Sequence, residues 1–128
     1  MKIIGTLLLA LAISAPASAM DNSAAEQLEQ LDPQTRLEQR CDLEAMERIH
    51  KDPLKMVPDE LVAYAFAEPK VNGDKIRSTG AAFRSKGEWY HLSYTCSTSP
   101  DHMTILSFQY VIGQMVPRNE WEHHFLVP

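Results

Sequence analysis

The chain has 128 residues, 45% of them hydrophobic and 23% charged, with two cysteines and a formal net charge of −5. A length of this size makes one domain, and such ordinary fractions exclude collagen-like, coiled-coil and wholly disordered chains. Lys and Arg are spread among more numerous carboxylates, so the basic stripe that marks a nucleic-acid-binding protein is missing and no nucleic-acid partner is expected.

Residues 1–19 read as a signal peptide. Lys2 gives a positive start, Ile3–Ile13 is an apolar run, and Ala17-Ser18-Ala19 is a small-x-small site that predicts cleavage after Ala19. The run is too short to cross a bilayer, and no later segment approaches ~20 apolar residues, so no transmembrane segment is expected after cleavage. Export decides how the cysteines are read. Outside the cytoplasm an even count of thiols oxidises, and Cys41 and Cys96 have only each other, which predicts one disulfide. A redox or nucleophilic thiol needs a CxxC pair or an activating base close in sequence, and neither is present.

Residues 20–30 are polar, with only Leu28 followed by Leu31 to bury, and read as a flexible leader before a single domain over 31–128. A helix starts at Asp32-Pro33, where Asp32 caps free amides and Pro33 fits the first helical position. Leu37, Cys41, Ala45 and Ile49 then form one apolar stripe, with i,i+4 pairs Glu44–Arg48 and Glu47–Lys51 outside it. Leu43 falls off that stripe. Asp52-Pro53 ends the helix near His50, and a second, shorter helix is predicted from Pro58-Asp59-Glu60 to Phe66.

From Val71 the period changes to two. Asn72-Gly73-Asp74 is a turn, and Gly80–Ser85, Glu88–Cys96 and Met103–Ile112 read as strands of a β-meander. Tyr90, Leu92, Tyr94 and Cys96 share one face, as do Leu106, Phe108, Tyr110 and Ile112. Cys96 thus faces the stripe carrying Cys41, and the predicted fold is α+β: a long N-terminal helix packed on a three- to four-stranded antiparallel β-meander, with one helix-to-strand disulfide. The opposite face, with Trp89, His91, Ser93 and Thr95 beside Ile105, Ser107, Gln109 and Val111, is too mixed for a solvated surface. It calls for cover by the C-terminal segment, a second subunit or a partner.

The runs LDPQTRLEQRCDLEAMERI (Leu31–Ile49), VAYAFAEPK (Val62–Lys70) and GAAFRSKGEWYHLSYTCSTSPDHMTILSFQY (Gly80–Tyr110) resemble the DUF930 family of Gram-negative bacterial proteins, over roughly residues 31 to 126. The resemblance implies an exported envelope protein, hence a periplasmic location, and supplies no catalytic residues. Family members that carry a Pro-rich membrane anchor resemble energy transducers; that anchor is absent from this sequence.

Candidate sites therefore come from side-chain chemistry. Five histidines include His123 and His124, which with Glu120 form half a metal site if 118–125 is helical. HExxH and CxxC spacings are absent, so no metal is assigned. There is no G-x-S-x-G elbow and no glycine-rich phosphate loop, so no catalytic residue and no cofactor are assigned either. Trp89, His91 and Trp121 are the candidate binding surface, because amphipathic aromatics anchor interfaces. The function read from the sequence is a non-catalytic periplasmic binding or envelope-interaction module whose partner is another envelope protein. The alternatives are an inhibitor of an exported hydrolase, presenting the loop Ser97–His102, and a small enzyme using His and carboxylate chemistry.

Overall fold

The computed structural model describes residues 20–128; the export signal read from residues 1–19 lies outside them. In chain order come helices α1 (Asn22–Glu29) and α2 (Pro33–His50), and strands β1 (Pro58–Val62), β2 (Lys70–Asn72), β3 (Lys75–Ser85), β4 (Glu88–Thr98) and β5 (Ile105–Met115). Two short 3-10 turns, Arg118–Glu120 and Glu122–His124, follow. The α+β class, the antiparallel meander β3-β4-β5 and the helix-to-strand disulfide are as predicted. Strands number five instead of three to four; the helix expected from Pro33 to His50 forms but at 18 residues is not long, and a separate helix of 8 residues precedes it.

α2 forms where the caps and the stripe put it. The Asp32 carboxylate accepts from the Thr35 amide at 3.1 Å, and Leu37, Cys41, Ala45 and Ile49 are all buried. Glu47–Lys51 closes at 2.9 Å on a solvated face and contributes ~0.3–0.5 kcal/mol, while Glu44, largely covered, is shared between Arg48 at 3.1 Å and Arg40 at 3.3 Å.

Residues 20–30 depart from the leader expected of them. α1 is capped by Asp21, whose carboxylate accepts from Ser23, and Leu28 is buried. The reason is a side chain outside the segment: the Arg36 guanidinium donates to the carbonyls of Leu28, Glu29 and Leu31, satisfying acceptors that a helix end leaves free. Leu43, off the stripe of α2, lines the groove between the helices with Leu28 and Leu31.

In the sheet, β4 and β5 extend from β3 in order, while β1 and β2 share the far edge of β3, along Ala82–Ser85 and Lys75–Arg77 respectively. The helix predicted from Pro58 is strand β1. Its Pro and acidic residues imitate a helix start, but Leu61 and Val62 pair with Phe83 and Ala82, and that pairing outweighs the local signal. β5 also differs from a plain alternation. Ser97 pairs with Ser107 and Thr98 with Ile105, so Leu106 is an extra residue in a β-bulge. Ile105 packs on the core and Leu106, placed inward by strict alternation, is 67% exposed.

Two cores lie on opposite faces of the sheet. The inner one joins the α2 stripe to Ile76, Phe83, Leu92, Tyr94, Cys96 and Phe108, and the disulfide crosses it with both sulfurs fully buried. The outer one gathers Ala65, Ala82, Trp89, Val116, Trp121 and Leu126, so the C-terminal segment is the cover for that end of the outer face. Gly80 lets the strap after β1 reach the sheet. Phe66 donates its amide to the Gly80 carbonyl at 2.8 Å, and a Cβ on Gly80 would collide with the Ala67 amide nitrogen.

Candidate functional site

Trp89 and Trp121 do not form an exposed patch. Both are buried in the outer core, and each indole nitrogen donates to a backbone carbonyl, Trp89 to Val127 at 2.7 Å and Trp121 to Val116 at 3.0 Å. Their amphipathic chemistry is spent on packing, so neither ring is exposed as the binding surface expected of it. His91 stays half-buried on the outer face, 4.3 Å from the Phe66 ring, which stacks in turn on His124 at 3.9 Å.

That stack also fixes the histidine pair. His124 has Nδ1 2.9 Å from the Ala65 carbonyl, while His123 and Glu120 are exposed on separate 3-10 turns. The helical spacing that would aim all three at one ion is not formed. Among the described residues no three His, Cys, Asp or Glu side chains gather at a common point.

The loop Ser97–His102 presents less than its sequence suggests. His102 is buried, with Nδ1 2.7 Å from the Pro33 carbonyl and Nε2 3.0 Å from the Asp74 carboxylate, so it ties the start of α2 to the β2–β3 turn. Pro100 and Asp101 remain exposed at the tip, and the Asp101 carboxylate is held by Ser99 and Met103.

Two carboxylates missed by sequence reasoning bind tyrosines of the inner face. Tyr94 donates its hydroxyl to Asp42 at 2.7 Å, and Tyr110 to Asp52 at 2.6 Å. Asp52 is held below the usual carboxylate range by that bond and by the Leu54 amide. Asp42 goes the other way. Burial pushes its carboxyl up to about 7, with Glu38 one turn away adding repulsion and the Tyr94 bond opposing both. A carboxyl raised in the fold stays neutral there while the unfolded chain ionises, so its contribution to stability is full below pH ~3.8 and is lost as pH rises toward about 7. Asp42→Asn keeps an acceptor for Tyr94 and removes the ionisation. Urea unfolding is expected to show the variant equal to the parent near pH 4 and more stable by on the order of 1–3 kcal/mol at pH 8. Equal pH slopes for the two proteins would contradict this.

One edge of the sheet is open. β5 pairs with β4 alone, and nothing among the described residues pairs with its other side. Its sequence ILSFQYVIGQM has neither charge nor proline, and Leu106, Val111 and Met115 are exposed. Bulges at Leu106 and at Gly113-Gln114 leave Ser107–Ile112 as a regular stretch between them. Natural edge strands are normally kept from pairing by charge, proline or short length. Which strand lies at the edge is a property of the topology, which the linear sequence does not display.

Compared with known proteins, the chain matches one family model, described as Domain of Unknown Function (DUF930), over residues 28–126. No curated protein matches it. No solved structure matches it either. In the described residues no helix is long and apolar enough to cross a membrane.

Proposed function

The chain belongs to the DUF930 family, and from that premise we propose that it is an exported, periplasmic, non-catalytic module that binds another envelope protein by adding an extended segment of it to β5. The observation that carries this reading is the eleven-residue uncharged edge. Its free amides and carbonyls supply affinity to an incoming strand, and alternate side chains supply selectivity. Between the bulges Phe108, Tyr110 and Ile112 face the inner side and Gln109 and Val111 the outer, so the matching segment alternates apolar and polar residues. Export is supported by the leader features of residues 1–19 and by the buried disulfide, which suits an oxidising compartment.

A photo-crosslinking amino acid placed at Val111 tests the edge in cells, with one at exposed Glu47 on α2 as control. Val111 is expected to yield a discrete adduct with a second polypeptide, and Glu47 none. Adducts of equal yield at both positions, or none at Val111, would refute strand addition.

The inhibitor reading keeps one specific support, the rigid tip of Pro100 and Asp101. It no longer includes His102, whose substitution removes two internal bonds and so lowers stability.

A further inference from the structure

Register, which the linear sequence does not display, gathers three cations on the outer sheet face. Lys70 of β2 lies directly opposite Arg77 of β3, and Lys75 lies two residues before Arg77 on the same strand. The intervening Ile76 is fully buried in the inner core, so all three basic positions point outward. Like charges directly opposite each other on a sheet are destabilising. Here none of the three takes part in an ion pair among the described residues, although Arg40, Arg48, Lys51 and Arg84 all do. Lys55, Lys86 and Arg118 are likewise outside the ion pairs of the described residues, so it is the grouping of three cations in a chain with 17 Asp and Glu against 12 Lys and Arg that marks this corner.

Arg77, the member of this corner nearest the middle of the sheet, lines a trough, with Lys70 and Lys75 beyond its end. Arg77 pairs across to Thr95 and Thr95 to Gln109, so a row from Lys70 to Gln109 crosses four strands and spans about 14 Å at the usual strand spacing. Thr79, Ser93 and Val111 form its second wall, and the hollow holds about 190 Å³. It continues into a smaller one of about 120 Å³ beside His91 and Gly113. A bulge at Thr79-Gly80 bends β3 at this point, a device that commonly re-aims side chains beside binding sites. Among the described residues the Thr79, Ser93, Thr95 and Gln109 side chains make no hydrogen bond, in contrast to Ser78 on the inner side, which donates to the Ala63 carbonyl.

We propose that this trough binds a phosphomonoester carried on a sugar. A phosphate dianion answers the Lys70–Lys75–Arg77 corner, where Arg offers paired donors and Lys point charge. Hydroxyl and amide side chains, each both donor and acceptor, answer the hydroxyls of a sugar ring along the neutral part of the row. Two sources share this chemistry, a soluble sugar phosphate and the phosphorylated sugar headgroup of a glycolipid. The site depends neither on export nor on strand addition at β5.

Nitrogen-15-labelled protein titrated with glucose 1-phosphate, glucose and sodium sulfate tests it by NMR. Glucose 1-phosphate is expected to shift the amides of Arg77, Thr79, Ser93 and Thr95 saturably, glucose and sulfate each much more weakly, and Lys70→Gln with Arg77→Gln to weaken the response at least tenfold. Because the double substitution removes a like-charge pair, the variant is expected to keep the parent's dispersed spectrum. Flotation with phosphatidylcholine vesicles, with and without a phosphorylated glycolipid, separates the sources: binding to the glycolipid vesicles alone, lost in the variant, assigns the headgroup. Equal responses to sulfate and glucose 1-phosphate would reduce the corner to a bare charge patch and overturn the proposal. So would unchanged binding in the variant, or no binding to either form.

Discussion

Cys41→Ser is expected to lower the free energy of unfolding by ~2–5 kcal/mol, read as a fall in the urea midpoint. The bridge joins the middle of α2 to β4 across 55 residues of chain. Closing a loop of that length restricts the unfolded ensemble by ~4 kcal/mol in the chain-entropy model, out of the 5–15 kcal/mol available to a domain of this size. Both sulfurs are also fully buried among Leu37, Ala45 and Ile76, so the serine variant places a hydroxyl in an apolar site. Cys41→Ala with Cys96→Ala separates the two costs, since it removes the crosslink without burying a hydroxyl. A midpoint unchanged in both variants would show that the thiols are not paired.

Trp89→Ala is expected to cost ~3–5 kcal/mol, as large aromatic truncations in cores do. The indole is fully buried between the sheet and the C-terminal segment, bonds the Val127 carbonyl at 2.7 Å, and lies under the Arg84 guanidinium at 5.7 Å. Arg84 is itself held by Asp59 at 2.9 Å and reaches the Pro128 carbonyl, so one residue links β1, β3 and the chain end. Removing the ring opens a cavity beside Val116, Trp121 and Leu126. Trp89→Phe keeps an aromatic ring and loses the hydrogen bond, so it separates packing from bonding and is expected to cost less. A loss below about 1 kcal/mol for the alanine variant would mean that the C-terminal segment does not depend on this residue to close over the sheet.

Much of this architecture is written in short-range chemistry. Asp32-Pro33 and the four-residue stripe place α2, and the period-two faces of β4 place Cys96 against it, because cap and periodicity are local. What escapes is set by partners far along the chain. α1 depends on Arg36 reaching back to three carbonyls, β1 on pairing with Phe83 and Ala82, and the exposure of Leu106 on a bulge opposite β4. The tryptophans were legible as amphipathic anchors, and whether they anchor a partner or the chain's own C-terminal segment is decided by packing. The basic corner is invisible for the same reason: Lys70 and Arg77 stand seven positions apart, and only the β2–β3 hairpin makes them neighbours.

Native mass spectrometry of the protein taken gently from its own periplasm tests the central claim, an exported, bridged module that binds a polypeptide at β5. The account predicts a chain beginning at Met20, two hydrogens lighter than its reduced form, with a fraction bound to a second polypeptide that disappears in Val111→Lys. A chain retaining residues 1–19 with both thiols reduced, or a complex that survives Val111→Lys unchanged, would contradict it.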